Sequence, residues 1–353
     1  MHITVDAQVL LAALQNNLAE RRSTLNIFEH VLISAEGEQV SIVSCDGARE
    51  LEALIEAINI EAPGAITCHA GKLKSALFGL AGPVKLIHTD GDIATLQQGR
   101  RRYRLPSLPA KDYPKGPDID AAETVIANPE QLAAAVGRVA YAMGKKDVRH
   151  YLNGVHFAGR DVVASDGHRM ALVTLADADM PAMTLSKDGI KPLQAALLMP
   201  GASITCNADA IEVSHHTGRY RSALVDGAYP NYTRLLNIKD LSPRATIDPV
   251  KLLQPLQRLS GFVSLVGEAV GFTRHDNGLR LSARTGTADE SSDDLYTTVS
   301  PDWPEVYVCR HYLSDLASAI GQPFEWINSG PDSHQYFTTD GGNTVDLIMP
   351  VKR

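Results

Sequence analysis

Ser165, Asp166 and His168 stand within four residues of one another in Ser165-Asp166-Gly167-His168-Arg169, which supplies the side chains of a hydrolytic triad. Triads, however, are assembled from separate segments that converge in space. Three members on one turn point in different directions, and no Gly-x-Ser-x-Gly elbow is present. The same residues read as a tight turn between strands Val162–Ala164 and Met170–Val173, with Gly167 supplying a positive φ. A hydrolase using the Ser165–His168 region is kept as a remote alternative. His215-His216 beside Glu212 could suggest a metal, but neighbouring residues on a strand face opposite sides of a sheet. Cys45, Cys68, Cys206 and Cys309 form no CxxC pair, which argues against a zinc site or a disulfide framework. There is no Walker A loop, no GxGxxG and no defensible pair of acid and base carboxylates. The expectation is no catalytic residue, no metal and no cofactor.

The elements that would carry any site repeat along the chain. Arg102-Tyr103-Arg104 followed by Tyr113-Pro114 returns as Arg219-Tyr220-Arg221 followed by Tyr229-Pro230, a spacing of about 120 residues that suits tandem domains rather than a solenoid. Asp6, Asn128 and Asp248 each stand before an apolar stripe of helical period, the last two with proline at the first helical position. Short β-like runs precede them at His2–Val5, Thr124–Ala127 and Ala245–Ile247. A second helix is predicted midway through each unit, at Gly71–Leu80, Asp188–Leu198 and His311–Ile320. The polar, proline-containing stretches Pro117–Ala121 and Ile238–Pro243 mark the boundaries between units. The fold class expected is α+β: three tandem similar domains, each with two helices packed on antiparallel sheets.

The 353 residues are 44% apolar, and no apolar run reaches the ~18–20 needed to cross a bilayer. The first residues do not form a secretory signal, so a cytoplasmic protein is expected. The net charge of −8 argues against a general nucleic-acid coat. Charge can still be segregated. Arg21-Arg22, Lys72 and Lys74, Lys145-Lys146 with Arg149, Lys187, Lys191, Lys251, Arg258 and Arg310 lie on or beside the predicted helices, while acid gathers in Asp289–Asp294. One reading is a helix-lined surface that meets phosphates; the other is that helices carry lysine by propensity.

Four segments in order resemble the bacterial DNA polymerase III beta subunit, or beta sliding clamp, family. They are Lys146–Val155, Ala164-Ser165-Asp166-Gly167-His168-Arg169-Met170-Ala171-Leu172, Leu224–Tyr232 and the ending Ile348-Met349-Pro350-Val351-Lys352-Arg353. The resemblance spans the whole chain. It implies the DNA clamp fold with domains 1–118, 119–242 and 243–353, and a head-to-tail homodimer closed into a ring around double-stranded DNA without regard to sequence. It further implies a DNA polymerase processivity factor that tethers the polymerase III alpha subunit, the clamp loader and other proteins with clamp-binding motifs, with no membrane partner. A diverged paralogue serving a mobile element or a repair polymerase is the alternative, motivated by Gly71, Lys146, His150 and Arg353, where the chain departs from the family's usual residues.

By the same resemblance, the DNA contacts fall on Arg22, Lys72, Lys146, Arg149, His150 and Tyr151. The implied peptide-binding groove takes Leu152, Ser165, Gly167, His168, Arg169 and Met170 from one side. It takes Pro230, Arg234 and Leu235 from a second segment, and Leu347, Ile348, Met349, Pro350 and Val351 from the tail. The implied dimer interface pairs Leu77, Leu80, Tyr103 and Leu105 of one chain with Phe262 and Val263 of another.

Overall fold

The computed structural model describes residues 1–15, 26–89, 91–238, 241–263, 268–285, 290–339 and 342–352. Six α-helices lie among them: α1 (Ala7–Gln15), α2 (Ala70–Leu77), α3 (Pro129–Val139), α4 (Lys187–Leu197), α5 (Pro249–Arg258) and α6 (Arg310–Ile320). The three expected caps close the first turns of α1, α3 and α5. Asp6 Oδ1 accepts from the backbone N–H groups of Gln8 and Val9 at 2.8 and 3.1 Å. Asn128 Oδ1 accepts from Gln131 at 3.0 Å, and Asp248 Oδ1 accepts from Val250 at 3.0 Å. Helix α2 stops at Leu77, short of the expected Leu80, because Phe78 leaves the helical region and Gly79 takes a φ of 73°.

The chain divides into two compact units, Met1–Val125 with Lys191–Leu224, and Ile126–Ile190 with Val225–Arg353. The first unit holds a five-stranded sheet ordered Asn59–Ala62, His2–Asp6, Pro83–Ile87, Ile93–Gln98, Arg101–Pro106. It also holds an eight-stranded sheet in which Arg49–Glu56 pairs antiparallel with Gly218–Ala223, Leu51 opposite Tyr220. Leu10, Leu14, Leu73 and Leu77 of its helices pack with Ile3, Val31, Ile33 and Leu96 into one core.

The second unit repeats this plan. Its eight-stranded sheet joins Arg169–Thr174 to Thr344–Ile348, Met170 opposite Leu347. Its four-stranded sheet is ordered Glu290–Tyr296, Gly278–Arg284, Ala269–His275, Val306–Cys309. One core gathers Leu252, Leu256, Leu313 and Leu316 with Phe272, Trp326 and Phe337. A smaller cluster lies under the segment from Tyr229 to Leu241.

Each eight-stranded sheet therefore takes strands from both sides of an expected domain boundary, which is why the compact units do not end at 118/119 or 242/243. The pairing follows a rule. Arg49–Glu56 and Arg169–Thr174 occupy matching places in successive repeats, and each pairs with a strand of the next repeat. The third strand of that series, Glu290–Tyr296, is a sheet edge. So is Arg101–Pro106, the first-repeat counterpart of Gly218–Ala223.

Candidate functional site

The turn that looked like a triad is a structural turn. Strands Asp161–Ser165 and Arg169–Thr174 meet with Ser165 opposite Met170, and Gly167 takes a φ of 89°. Ser165 Oγ donates to the Arg169 carbonyl at 2.7 Å and accepts from the Gly167 N–H at 3.1 Å. Asp166 Oδ1 accepts from the N–H groups of His168 and Arg169 at 2.9 and 3.0 Å, and its second oxygen takes Arg169 Nε at 3.0 Å. The serine proton and the carboxylate are both committed to the backbone and to Arg169, which disposes of the hydrolase reading.

Beside this turn lies a cavity of about 260 Å³. Among the expected groove residues, Ser165, Gly167, His168, Arg169 and Met170 line it, with Pro230, Leu235, Leu347 and Met349. The tail wall is held by a hydrogen bond from Met349 N to the His168 carbonyl, 2.8 Å. The two methionines and two leucines give adaptable apolar walls. Tyr229, Asn231, Tyr232 and His334 line it as well and were not singled out. The tyrosines carried a signal, since they flank the Pro230 of the repeated Tyr-Pro. His334 carried none.

Other expected groove residues lie elsewhere. Leu152 is buried, and Ile348 is buried in the core behind the sheet, because alternate residues of a strand face opposite sides. Pro350 pairs with Val308, and Val351 N donates to the Tyr307 carbonyl at 2.8 Å, so the last residues fasten the tail to the four-stranded sheet. Arg234 is exposed and does not line the cavity.

The DNA-contact set separates into two groups. Arg22 lies outside the described residues. Lys72, Lys146 and His150 are exposed. Arg149 is not a free phosphate ligand: Nε and Nη2 donate to the two carboxylate oxygens of Asp147 at 2.9 and 2.8 Å. These bonds hold the Asp147 carboxyl down at about 2. The Arg149 guanidinium also lies against Gly167, where an added Cβ would come within 2.9 Å of Nη2. Tyr151 abuts Gly227 and meets the Tyr229 ring edge-on at 6.4 Å. Arg149 and Tyr151 thus flank the cavity. In the interface set, Leu77, Leu80, Leu105 and Val263 are core residues of their own units, and Tyr103 is half-buried. The apolar surface there belongs to Phe262 and to Phe78, which is 83% exposed and was not anticipated.

Behind the cavity wall is a polar network. Arg138 binds Asp346 with both terminal nitrogens, and Tyr141 donates to Asp346 Oδ1 at 2.6 Å. Burial pushes the Asp346 carboxyl up, against the pull of Arg138 and Tyr141. Arg169 bonds Asp315 at 2.7 Å and lies between the rings of Tyr141 and Tyr312, 5.4 and 4.5 Å from their centroids. Under Tyr229, His156 stacks at 4.4 Å with Nδ1 2.9 Å from Thr184 Oγ1, and burial pushes its imidazole down to about 4.

Comparison with known proteins agrees with this geometry. The family descriptions "DNA polymerase III beta subunit, N-terminal domain" and "central domain" match residues 1–117 and 127–231. The beta sliding clamp of Pseudomonas putida is 30% identical over 249 residues, 67% of this chain and 68% of that one. That of Pseudomonas aeruginosa is 26% identical over 368 residues and covers 100% of both chains. A crystal structure of the P. aeruginosa clamp bound to griselimycin superposes with a TM-score of 0.92 at 26% identity, covering 100% of each chain. The Caulobacter crescentus protein shares the fold, with a TM-score of 0.90 at 23% identity and full coverage of both chains. The fold is that of a DNA clamp, and the chain belongs to the DNA polymerase III beta subunit family, the beta sliding clamps. It is a non-catalytic processivity factor.

Proposed function

We propose that two copies of this chain close head to tail into a ring around duplex DNA, with domains 1–118, 119–242 and 243–353 in each copy. The observation that carries this is the pair of unused sheet edges. Among the described residues, strand Glu290–Tyr296 has no partner of the next repeat, and Arg101–Pro106 has none of the preceding one. A second copy supplies both by the pairing already used twice within the chain. Arg101, Arg102 and Arg104 stand on one edge and Glu290 on the other, where Asp293 and Asp294 are already paired with Arg258 and Arg280 of their own chain. Phe78 and Phe262 are the exposed apolar residues of the expected interface set and its neighbours.

The closed ring holds DNA by topology, so the exposed Lys72, Lys146 and His150 need only modest, sequence-independent phosphate contacts. The cavity between the Ser165–Met170 turn and the tail receives short apolar motifs of the polymerase alpha subunit, the loader and other partners. Griselimycin, bound by the P. aeruginosa clamp, is the expected small-molecule occupant. Among the described residues no helix is long and apolar enough to cross a membrane, and replication places the protein in the cytoplasm. Loaded onto nicked circular DNA, the protein should stay bound through gel filtration and leave when the circle is cut. Equal retention on both forms would refute encirclement.

A further inference from the structure

The Arg169 guanidinium is 3% exposed, yet the residue lines two cavities. One is the groove. The other, of about 560 Å³, opens among Tyr141, Lys145, Lys187 and Asp315. We propose that Asp315 and Tyr312 of α6 are positioning residues for the groove: they hold the Arg169 side chain where it lines the cavity, so that ligand binding in the groove is coupled to α6. This rests on reading the groove as the ligand site.

The argument begins with what fixes the wall. The turn is tied locally by Asp166 and Ser165, and to the tail by the Met349–His168 hydrogen bond. Those bonds, with strand pairing on both sides, fix the backbone of the wall. The Arg169 side chain is fixed separately: its Nη1 reaches Asp315 at 2.7 Å and its plane lies against Tyr312. The His168 ring stacks on the other end of the same unit, 6.5 Å from Tyr312 and tilted by 20°. A planar, two-sided contact of this kind needs arginine, since lysine offers one point of attachment and no flat face. Asp315 does not itself line the Ser165–Met349 cavity, and its contact with that lining is the bond to Arg169. Whatever shifts α6 shifts the Arg169 side chain, and by reciprocity a ligand that seats that side chain steadies α6.

Calorimetric titration of the full-length protein with griselimycin tests this. D315N should weaken binding by about tenfold, the worth of one charge-assisted hydrogen bond. D315E, which keeps the carboxylate, should recover most of the loss. In hydrogen exchange, griselimycin should slow the first half of α6 in the parent protein and leave it unchanged in D315N. A merely structural Asp315 would not link those two readouts. Binding by D315N within about twofold of the parent, or an α6 response that survives the substitution, overturns the proposal. Should D315N unfold, Y312L, which removes the ring but keeps the ion pair, must show the same uncoupling. If the parent itself fails to bind griselimycin, it is the groove reading that fails.

Discussion

At the scale of the residue, His156 makes the sharpest claim. Its neutral ring supports Tyr229, a wall of the groove, and its pKa falls from 6.5 to about 4 because the charged form cannot be solvated there. The unfolded chain therefore takes up this proton first as pH drops. Stability should be full above about pH 6.5 and decline towards pH 4, losing roughly 3 kcal/mol through this group. Urea titrations at pH 7 and 4.5 should show that slope in the parent and a smaller one in H156F. An equal slope in both would place the acid sensitivity elsewhere. The turn was legible because Ser, Asp and Gly each have a local reason to stand there. Met349 and Leu347 line the cavity, whereas Ile348 between them packs into the core, as strand alternation alone requires. The pairing of Arg149 with Asp147 was not legible, because a basic residue beside Lys146 reads as a free cation until its partner is seen.

Helices were the most readable elements, since caps and apolar stripes are local properties, and all three caps are made by the expected side chains. Sheet membership was not readable. Nothing near Leu51 in sequence says that it will lie opposite Tyr220, so the crossing of expected domain boundaries by two sheets had no local sign. The two spare edges belong to this scale. R102E with R104E puts acid against acid across the proposed junction, and such juxtaposition costs several kcal/mol, or about 100-fold or more in dimer affinity. Sedimentation equilibrium should report monomers for this variant at concentrations where the parent is a dimer, with an unchanged melting profile for the monomer. A variant that remains dimeric would show that the Arg101–Pro106 edge is not the junction.

For the whole molecule, a net charge of −8 and a function on DNA are compatible only if holding does not depend on attraction. Salt separates the two. Raising it screens phosphate contacts and lowers the affinity of any open-ended binder steeply. A protein linked to a closed circle should persist there through such a rise until its own junctions part. Rapid loss from circles at moderate salt, with the dimer intact, would mean that charge rather than topology retains it. Bulk composition hinted at this only weakly, because a sum of charges carries no geometry.

The spare edges also define valence. In the proposed assembly each copy offers one edge of each kind, and pairing chemistry alone never counts to two. Only curvature decides whether the second junction meets the first. A change in the rotation from one copy to the next would leave both proposed junctions intact and turn rings into fibres that grow with concentration.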